Sequence, residues 1–285
     1  MPSLLDLRRR IRTVANTQKI TKAMELVAAS KLRRAQERMQ NARPYADELT
    51  GVMAELMART SGYEHPYLAV RPVAHRCLVL VTSDRGLVGG LNSNSVRVAL
   101  RESASGSTPT EVVSIGRRGR DAMRRMNRNL IGDVSNYGDR PTLATILPAI
   151  RIAMERYEQG ECDQVDLIYA RFLSAGRQEA TMQRLLPVEP PAGATSSHSD
   201  FEYEPDSADV LDALLPRYVE AQVYRAVLEN LASEQAARVM AMHNAAENAG
   251  EVIQSLTLTA NKARQNSITT ELMEVVSGST ALDEA

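Results

Sequence analysis

The chain has no tryptophan, two phenylalanines, two cysteines and four lysines in 285 residues. Aromatic residues make up 4%, too few for the ring-filled core that a compact globule of this length ordinarily builds. Ala, Leu, Val and Met must do the packing, and these residues favour helices that meet at close range. Cys77 and Cys162 cannot form a disulfide framework and fit a reducing compartment. They are 85 positions apart, in or beside separate expected strands, which predicts no thiol switch. Long apolar runs are also missing. Stretches such as residues 77–81 are far too short to span a bilayer. No apolar segment opens the chain, which argues against a secretory signal. With 44% hydrophobic and 24% charged residues, the composition excludes a chain disordered throughout.

What is present is unevenly placed. The net charge is −1, yet residues 1–43 hold eleven Lys or Arg against Asp6, Glu25 and Glu37. Residues 200–212 hold six acids and no base. A cationic helix and an acidic loop are both candidate contact surfaces.

Residues 3–43 contain neither Gly nor Pro, and a helix of 41 residues is roughly 60 Å long. Ser3 with Asp6 gives a capping-type start. Its heptad a and d positions are Leu4, Leu7, Ile11, Val14, Gln18, Thr21, Glu25, Ala28, Leu32, Ala35, Met39 and Ala42. Nine of the twelve are apolar, a coiled-coil seam broken by three polar residues in its middle. Residues 217–277 repeat the pattern without Pro and with Gly250 as the one Gly. Their seam includes Met242, Ala245, Ala249, Val252, Leu256, Thr259 and Ala263, and Gly278 is placed to end the helix. Neither helix should stand alone in water, so each is the other's partner and the two run antiparallel. The polar breaks suggest a register with Glu25 near Arg238, Ala42 beside Ala221 and Leu4 beside Thr259. The longer helix then overhangs by about twenty residues, a length difference worth roughly 30 Å.

The middle of the chain reads differently. Residues 77–82 (CLVLVT) and 111–115 (EVVSI) are expected strands, followed by a helix near residues 117–126 and another at 142–159. Residues 165–172 and 178–186 are expected to pair through a turn at 174–176. Strand–helix alternation predicts an α/β layer with a mainly parallel sheet. The expected fold class is therefore an antiparallel coiled coil of N- and C-terminal helices with an inserted Rossmann-like α/β domain. The divisions are 1–60 (N-terminal helix), 73–190 (α/β domain), 191–209 (acidic exposed loop) and 210–285 (C-terminal helix).

Chemistry is hard to find. The turn S-D-R-G-L-V-G-G-L-N (residues 83–92) follows a strand, where a Gly-rich loop can cradle a phosphate. It is not G-x-G-x-x-G and lacks the Lys of a P-loop, so a structural turn is the better reading. His75-x-Cys77 is too sparse for a metal site, and His65, His198 and His243 are scattered. No cofactor, metal or catalytic constellation is expected. A mechanical or binding role is what remains.

Three long motifs at the two ends carry a resemblance. They are N-T-Q-K-I-T-K-A-M-E-L-V-A-A-S-K (residues 16–31), L-A-S-E-Q-A-A-R-V-M-A-M (231–242) and N-K-A-R-Q-N-S-I-T-T-E-L-M-E-V-V-S-G (261–278). With the Gly-rich turn and F-E-Y-E-P-D (201–206) between them, they resemble, in order, the gamma subunit family of F-type ATP synthases. The family often has Cys where Val88 stands in the turn. The resemblance covers essentially the whole chain.

It implies a non-catalytic rotor shaft that couples ion-driven rotation of a membrane c ring to ATP synthesis or hydrolysis on catalytic beta subunits. It implies alpha and beta subunits, the epsilon subunit and the c ring as partners, with no nucleic acid. Contact with the membrane would run only through partner subunits, on the cytoplasmic face of a bacterial inner membrane. The implied partner-binding residues are Arg8, Arg9, Arg12, Lys19, Lys22, Lys31 and Arg33 on a cationic stripe, with Met24, Arg238, Arg264, Gln265 and Thr269. Arg264 and Gln265 match family positions that bond an acidic catch loop. Small residues at 277–281 would let the tip slide. A coiled-coil scaffold unrelated to ATP synthesis would explain the heptads but not the motifs. A nucleotide-dependent enzyme would need phosphate at the Gly-rich turn.

Overall fold

A computed structural model of the chain describes residues 3–59, 65–104, 108–189 and 206–283, with side chains given up to Ala58 in the first stretch and Val276 in the last. Most of the expected acidic loop, the F-E-Y-E-P-D motif up to residue 205 and the side chains of the 277–281 tip lie outside the described residues. The elements are α1 (Leu4–Arg59), a 3-10 turn (Pro66–Leu68), β1 (Arg76–Val81), α2 (Leu91–Ala104), β2 (Thr110–Ile115), α3 (Arg117–Arg125), β3 (Asn129–Val134), α4 (Leu143–Glu158), β4 (Gln164–Ser174), β5 (Arg177–Leu186) and α5 (Ser207–Asp283). The chain divides into two compact units, residues 28–238 and residues 1–27 with 239–285.

Both long helices extend beyond the Pro-free heptad runs 3–43 and 217–277 because each runs through a proline. Pro44 lies inside α1 and Pro216 inside α5. An interior proline costs roughly 3 kcal/mol. Beyond Pro44 the seam continues with Ala46, Leu49, Met53 and Leu56, all buried, and beside Pro216 lie Leu211, Leu215 and Val219, also buried. Each Leu or Met buried contributes about 1.5–3 kcal/mol, so the apolar stripe outweighs the break. Gly278 does not stop α5, which continues to Asp283.

In the unit of residues 28–238 the sheet order is β3-β2-β1-β4-β5. The first four strands in sequence are parallel and β5 is antiparallel to β4. β1 is central, with Val79 between Val113 and Leu167. Its near-continuous apolar run follows from being covered on both faces. Cys77, Val79 and Val81 join a core with α4, the C-terminal part of α1 and the N-terminal part of α5. Leu78 and Leu80 face Ala99 of α2 and Met123 of α3. The sequence reading misses α2 and β3. The first is a run of small polar residues with three buried side chains, Leu91, Ser95 and Ala99. In β3 the residue opposite α4 is Gly132, where an added Cβ would lie 2.5 Å from Ile152 Cδ1. The absent side chain erases the alternation that marks a strand.

In the other unit the N-terminal part of α1 pairs with α5 as an antiparallel seam. Leu7 and Thr21 are buried from α1, as are Met242, Ala246, Ala249 and Ala260 from α5. The three polar positions are satisfied in place. Gln18 Nε2 donates to the Ala246 carbonyl at 3.1 Å, and Thr21 Oγ1 donates to the Thr17 and Gln18 carbonyls. Glu25 meets His243 at 3.0 Å. The expected register, with Glu25 at Arg238, is therefore displaced by about one helical turn. The α5 face is also off by one residue: Ala246, Ile253 and Ala260 turn inward in place of Ala245, Val252 and Thr259. The positions turned inward, 242, 246, 249, 253, 256, 260 and 263, keep a 3.5 repeat but step by four and then three where the sequence assignment steps by three and then four.

Candidate functional site

The parallel strands reverse their order between β1 and β4: β2 and β3 lie on one side of β1, β4 on the other. In open α/β sheets the crevice at the carboxyl ends of such strands is where ligands bind. Here a helix of the same chain fills it. β1 ends at Val81, and its pairing with β4 ends at Ile168, while β4 runs on to Ser174. Ala170 thus loses its strand neighbour on that side, and α5 supplies one. Asn230 Oδ1 accepts the Ala170 amide at 3.2 Å, and the Ser233 hydroxyl donates to the Ala170 carbonyl at 2.9 Å.

The Gly-rich turn is consumed by the same docking. Ser83 N donates to Asn92 Oδ1 at 3.0 Å, Asn92 Nδ2 to Ser83 Oγ at 2.7 Å, and Ser83 Oγ to the Arg85 carbonyl at 2.6 Å. Asp84 accepts the Arg117 amide at the start of α3. An added Cβ on Gly86 would lie 2.6 Å from Arg118 Nη2, so the guanidinium rests against the turn where a side chain would otherwise be. Val88, 3% exposed, packs with Leu91, Ala170 and Ala237, which explains why a small apolar residue serves at that position. Beside the turn is a cleft of about 540 Å³ lined by Asp84, Arg85, Arg117, Tyr137, Asp139 and Glu234, among others. Several of its polar groups already have partners within the chain. Arg117 bonds Asn136, and Tyr137 donates to the Thr82 carbonyl at 2.6 Å.

Two of the residues expected to bind partners also bond within the chain here. Lys31 meets Asp139 at 2.7 Å, and that hydrogen bond is the main reason the Asp139 carboxyl is held below its usual range. Arg238 donates to Glu234 at 2.7 Å, to Gln235 at 3.0 Å and to the Gly86 carbonyl at 3.4 Å. Burial raises the Glu234 carboxyl despite the guanidinium. Arg33 is exposed but spans to Glu37 one turn on, a pair of little energetic weight.

The other candidates lie in the open. Arg8, Arg9, Arg12, Lys19 and Lys22 are exposed on α1, and Met24 is half-buried. The same exposed surface carries Leu5, Ile20, Leu26 and Val27, each more than half exposed. On α5 the seam ends at Ala263, and every side chain from Arg264 to Val276 is exposed. Arg264, Gln265 and Thr269 belong to this stretch, with Thr269 Oγ1 donating to the Gln265 carbonyl at 2.9 Å. Leu272, Met273, Val275 and Val276 are 60–69% exposed.

Sequence reasoning misses Asn230, Ser233, Glu234 and Asp139. The first three lie inside or beside the 231–242 motif, whose polar residues resemble a solvated face. Separation in sequence also hides that the two cysteines are neighbours in the fold. Cys77 and Cys162 share one core cluster, both free, and their thiols meet. The hydrogen bond with Cys162 and burial together push the Cys77 thiol up. Among the described residues, no group of three His, Cys, Asp or Glu could hold a metal ion. No described helix is long and apolar enough to cross a membrane.

Comparison with known proteins gives a consistent picture. The family model described as ATP synthase matches residues 3–282. The chain is 46% identical over 295 residues to the ATP synthase gamma chain of Herpetosiphon aurantiacus, with 100% of each covered. It is 45% identical over 286 residues to that of Dechloromonas aromatica, covering 99% of this chain and 100% of the relative. Among solved structures it is similar to a chain of the central stalk and c ring of Tetrahymena thermophila mitochondrial ATP synthase. That match has a TM-score of 0.60 and 28% identity, and covers 79% of this chain and 99% of the other. A rotor chain of Euglena gracilis mitochondrial ATP synthase shares the fold, with a TM-score of 0.66 at 19% identity, covering 93% and 98%.

Proposed function

We infer function from one premise: the chain belongs to the family of ATP synthase gamma chains. The reading is a central rotor shaft that couples ion-driven rotation of a membrane c ring to ATP synthesis or hydrolysis on beta subunits. The chain itself catalyses no step. The observation that carries this reading is the overhang of α5. A helix is stabilised chiefly by burying its apolar stripe, yet Ile268, Leu272, Met273 and Val275 are each about half exposed or more within the chain. They require a surrounding partner, and a ring of alpha and beta subunits is such a sleeve.

The exposed cations Arg8, Arg9, Arg12, Lys19, Lys22 and Arg33 would face acidic loops of the ring. Solvated pairs of that kind are weak and so are made and broken cheaply as the shaft turns. Arg264, Gln265 and Thr269 would contact one beta subunit at a time. Residues 73–190 would serve as the foot, bound with the epsilon subunit on the c ring, and the 191–209 loop and the helices 1–60 and 210–285 complete the division. The chain would then sit on the membrane only through its partners, at the cytoplasmic face of a bacterial inner membrane. A shaft that met all three beta subunits alike could shift no equilibrium, so its asymmetry is the working feature. The test is to purify a tagged chain from its host and weigh the complex. Copurification of alpha and beta subunits with ATPase activity is expected; recovery of the chain alone or with unrelated partners would end the rotor reading.

A further inference from the structure

Residues 226–237 of α5 are buried on every side, and five of these twelve are polar: Glu229, Asn230, Ser233, Glu234 and Gln235. Burial of apolar surface is non-directional. A helix of Ala and Leu in an apolar trough resists leaving it, but resists little when turned about its own axis or slid by a residue. Hydrogen bonds weaken steeply when misaligned. Asn230 is 1% exposed and Ser233 0%, and their two bonds both end on one residue, Ala170, where β4 outruns β1. Because the two groups gripped are the amide and the carbonyl of a single strand residue, neither rotation nor sliding of α5 can preserve both bonds. The strand itself is locked, since Ala170 pairs with Ala180 of β5.

We propose that Asn230 and Ser233 are positioning residues that fix the angle of α5 against the sheet, so that torque passes between the foot and the shaft through the backbone of Ala170. The proposal rests on the rotor reading. The crevice that would hold a ligand in other sheets of this topology serves here as a socket. Small neighbours such as Ala226, Ala232, Ala236 and Ala237 let the helix sink far enough for two short side chains to reach the strand. Both are buried within the chain, which leaves them almost no surface to offer a nucleotide or a partner subunit. The effect expected is on coupling, not on hydrolysis.

The experiment uses the assembled ATP synthase in membrane vesicles, carrying Asn230→Ala with Ser233→Ala. ATP hydrolysis and ATP-driven ion uptake are measured together, and the angular spread of a bead on the stalled rotor is recorded. Loss of two buried hydrogen bonds should favour the slipped arrangement roughly tenfold or more. Unloaded hydrolysis should stay near parental while ion uptake per ATP falls and the angular spread widens. Ser233→Thr, which keeps the hydroxyl, should restore most of what Ser233→Ala alone loses. If the double variant does not assemble, the single Ser233→Ala is read against Ser233→Thr by the same measures. Parental uptake and spread in an assembled Ala variant would overturn the proposal. So would equal losses of hydrolysis and uptake, which mark a merely structural role. If the parental complex itself pumps no ions, the rotor reading fails first, and that outcome is distinct from the others.

Discussion

Residues 226–237 and 264–276 are two stretches of one helix, nearly equal in length. The first has every side chain buried although five of twelve are polar. The second has every side chain exposed although it carries Ile268, Leu272, Met273, Val275 and Val276. Composition separates them only weakly, with seven apolar residues of twelve in the first and five of thirteen in the second. What separates them is the surroundings each finds within the chain: a sheet that ends short on one side, or open solvent. A polar side chain is tolerated inside when a backbone group awaits it. An apolar one is tolerated outside when its partner is another molecule.

The largest effect should come from putting a charge into each stretch. Ala232 is fully buried against Ala35 and Leu231. Ala232→Arg should cost more than about 3 kcal/mol, or prevent folding, because an unpaired buried charge and overpacking act together. Leu272→Arg, at a position 60% exposed, should leave the isolated chain within about 0.5 kcal/mol of parental. Thermal unfolding of both variants checks the contrast, and similar losses would erase it.

Next is Arg264→Ala with Gln265→Ala. Both lie beyond the end of the seam at Ala263, so assembly and chain stability should hold. If the pair bonds a beta subunit as proposed, losing a charge-assisted bond of about 1.5–3 kcal/mol in one rotary state should slow turnover of the complex. Parental rates of synthesis and hydrolysis would remove the pair from the contact surface; failure to assemble would make it structural.

A smaller effect is expected at Lys31 and Asp139. The Asp139 carboxyl titrates below its ordinary value when folded. The stability it contributes is therefore present above about pH 4, its unfolded range, and lost as pH falls through the lower folded value. Asp139 is half exposed, so the contribution is at most about 1 kcal/mol. Lys31→Met should narrow the difference in unfolding free energy between pH 7 and pH 3; an unchanged difference would show that the pair adds nothing. Smallest is the response of the native chain to alkylation. Cys77 and Cys162, 0% and 1% exposed, should both be spared by iodoacetamide until the chain unfolds, with mass spectrometry as the readout.

The same two stretches of α5 mark how far the amino-acid pattern alone discloses the fold. The α1 seam is legible position by position, from Leu7 to Ala42, because a 3.5 repeat of apolar residues has one physical meaning. The C-terminal seam is legible in type but not in phase: Val252 and Ile253 are both apolar neighbours, and either fits a 3.5 repeat through Ala249 and Leu256. β1 is legible from its apolar run. β3 is not, because Gly132 removes the side chain that would show the alternation. The overhang and its exposed Arg264, Gln265 and Thr269 follow from helix length. The grip on Ala170 is invisible in the pattern, because it depends on β4 being longer than β1, and strand lengths are set by pairing that no local pattern records.

The seam has a consequence for the making of the protein. Gln18 bonds Ala246, 228 positions later. At roughly 5–20 residues per second, a ribosome delivers that partner some tens of seconds after the first helix emerges. Throughout this interval Leu7, Ile11 and Val14 have no mate, and the nascent chain exposes a long apolar stripe flanked by cations. The sheet can form meanwhile, since its strands lie between the two helices. The helix made last first covers the sheet's core through residues 211–227, then fills the socket at Ala170, and only then completes the coil, so a stall just before residue 246 would leave the N-terminal stripe of α1 unpaired for chaperones or proteases to find.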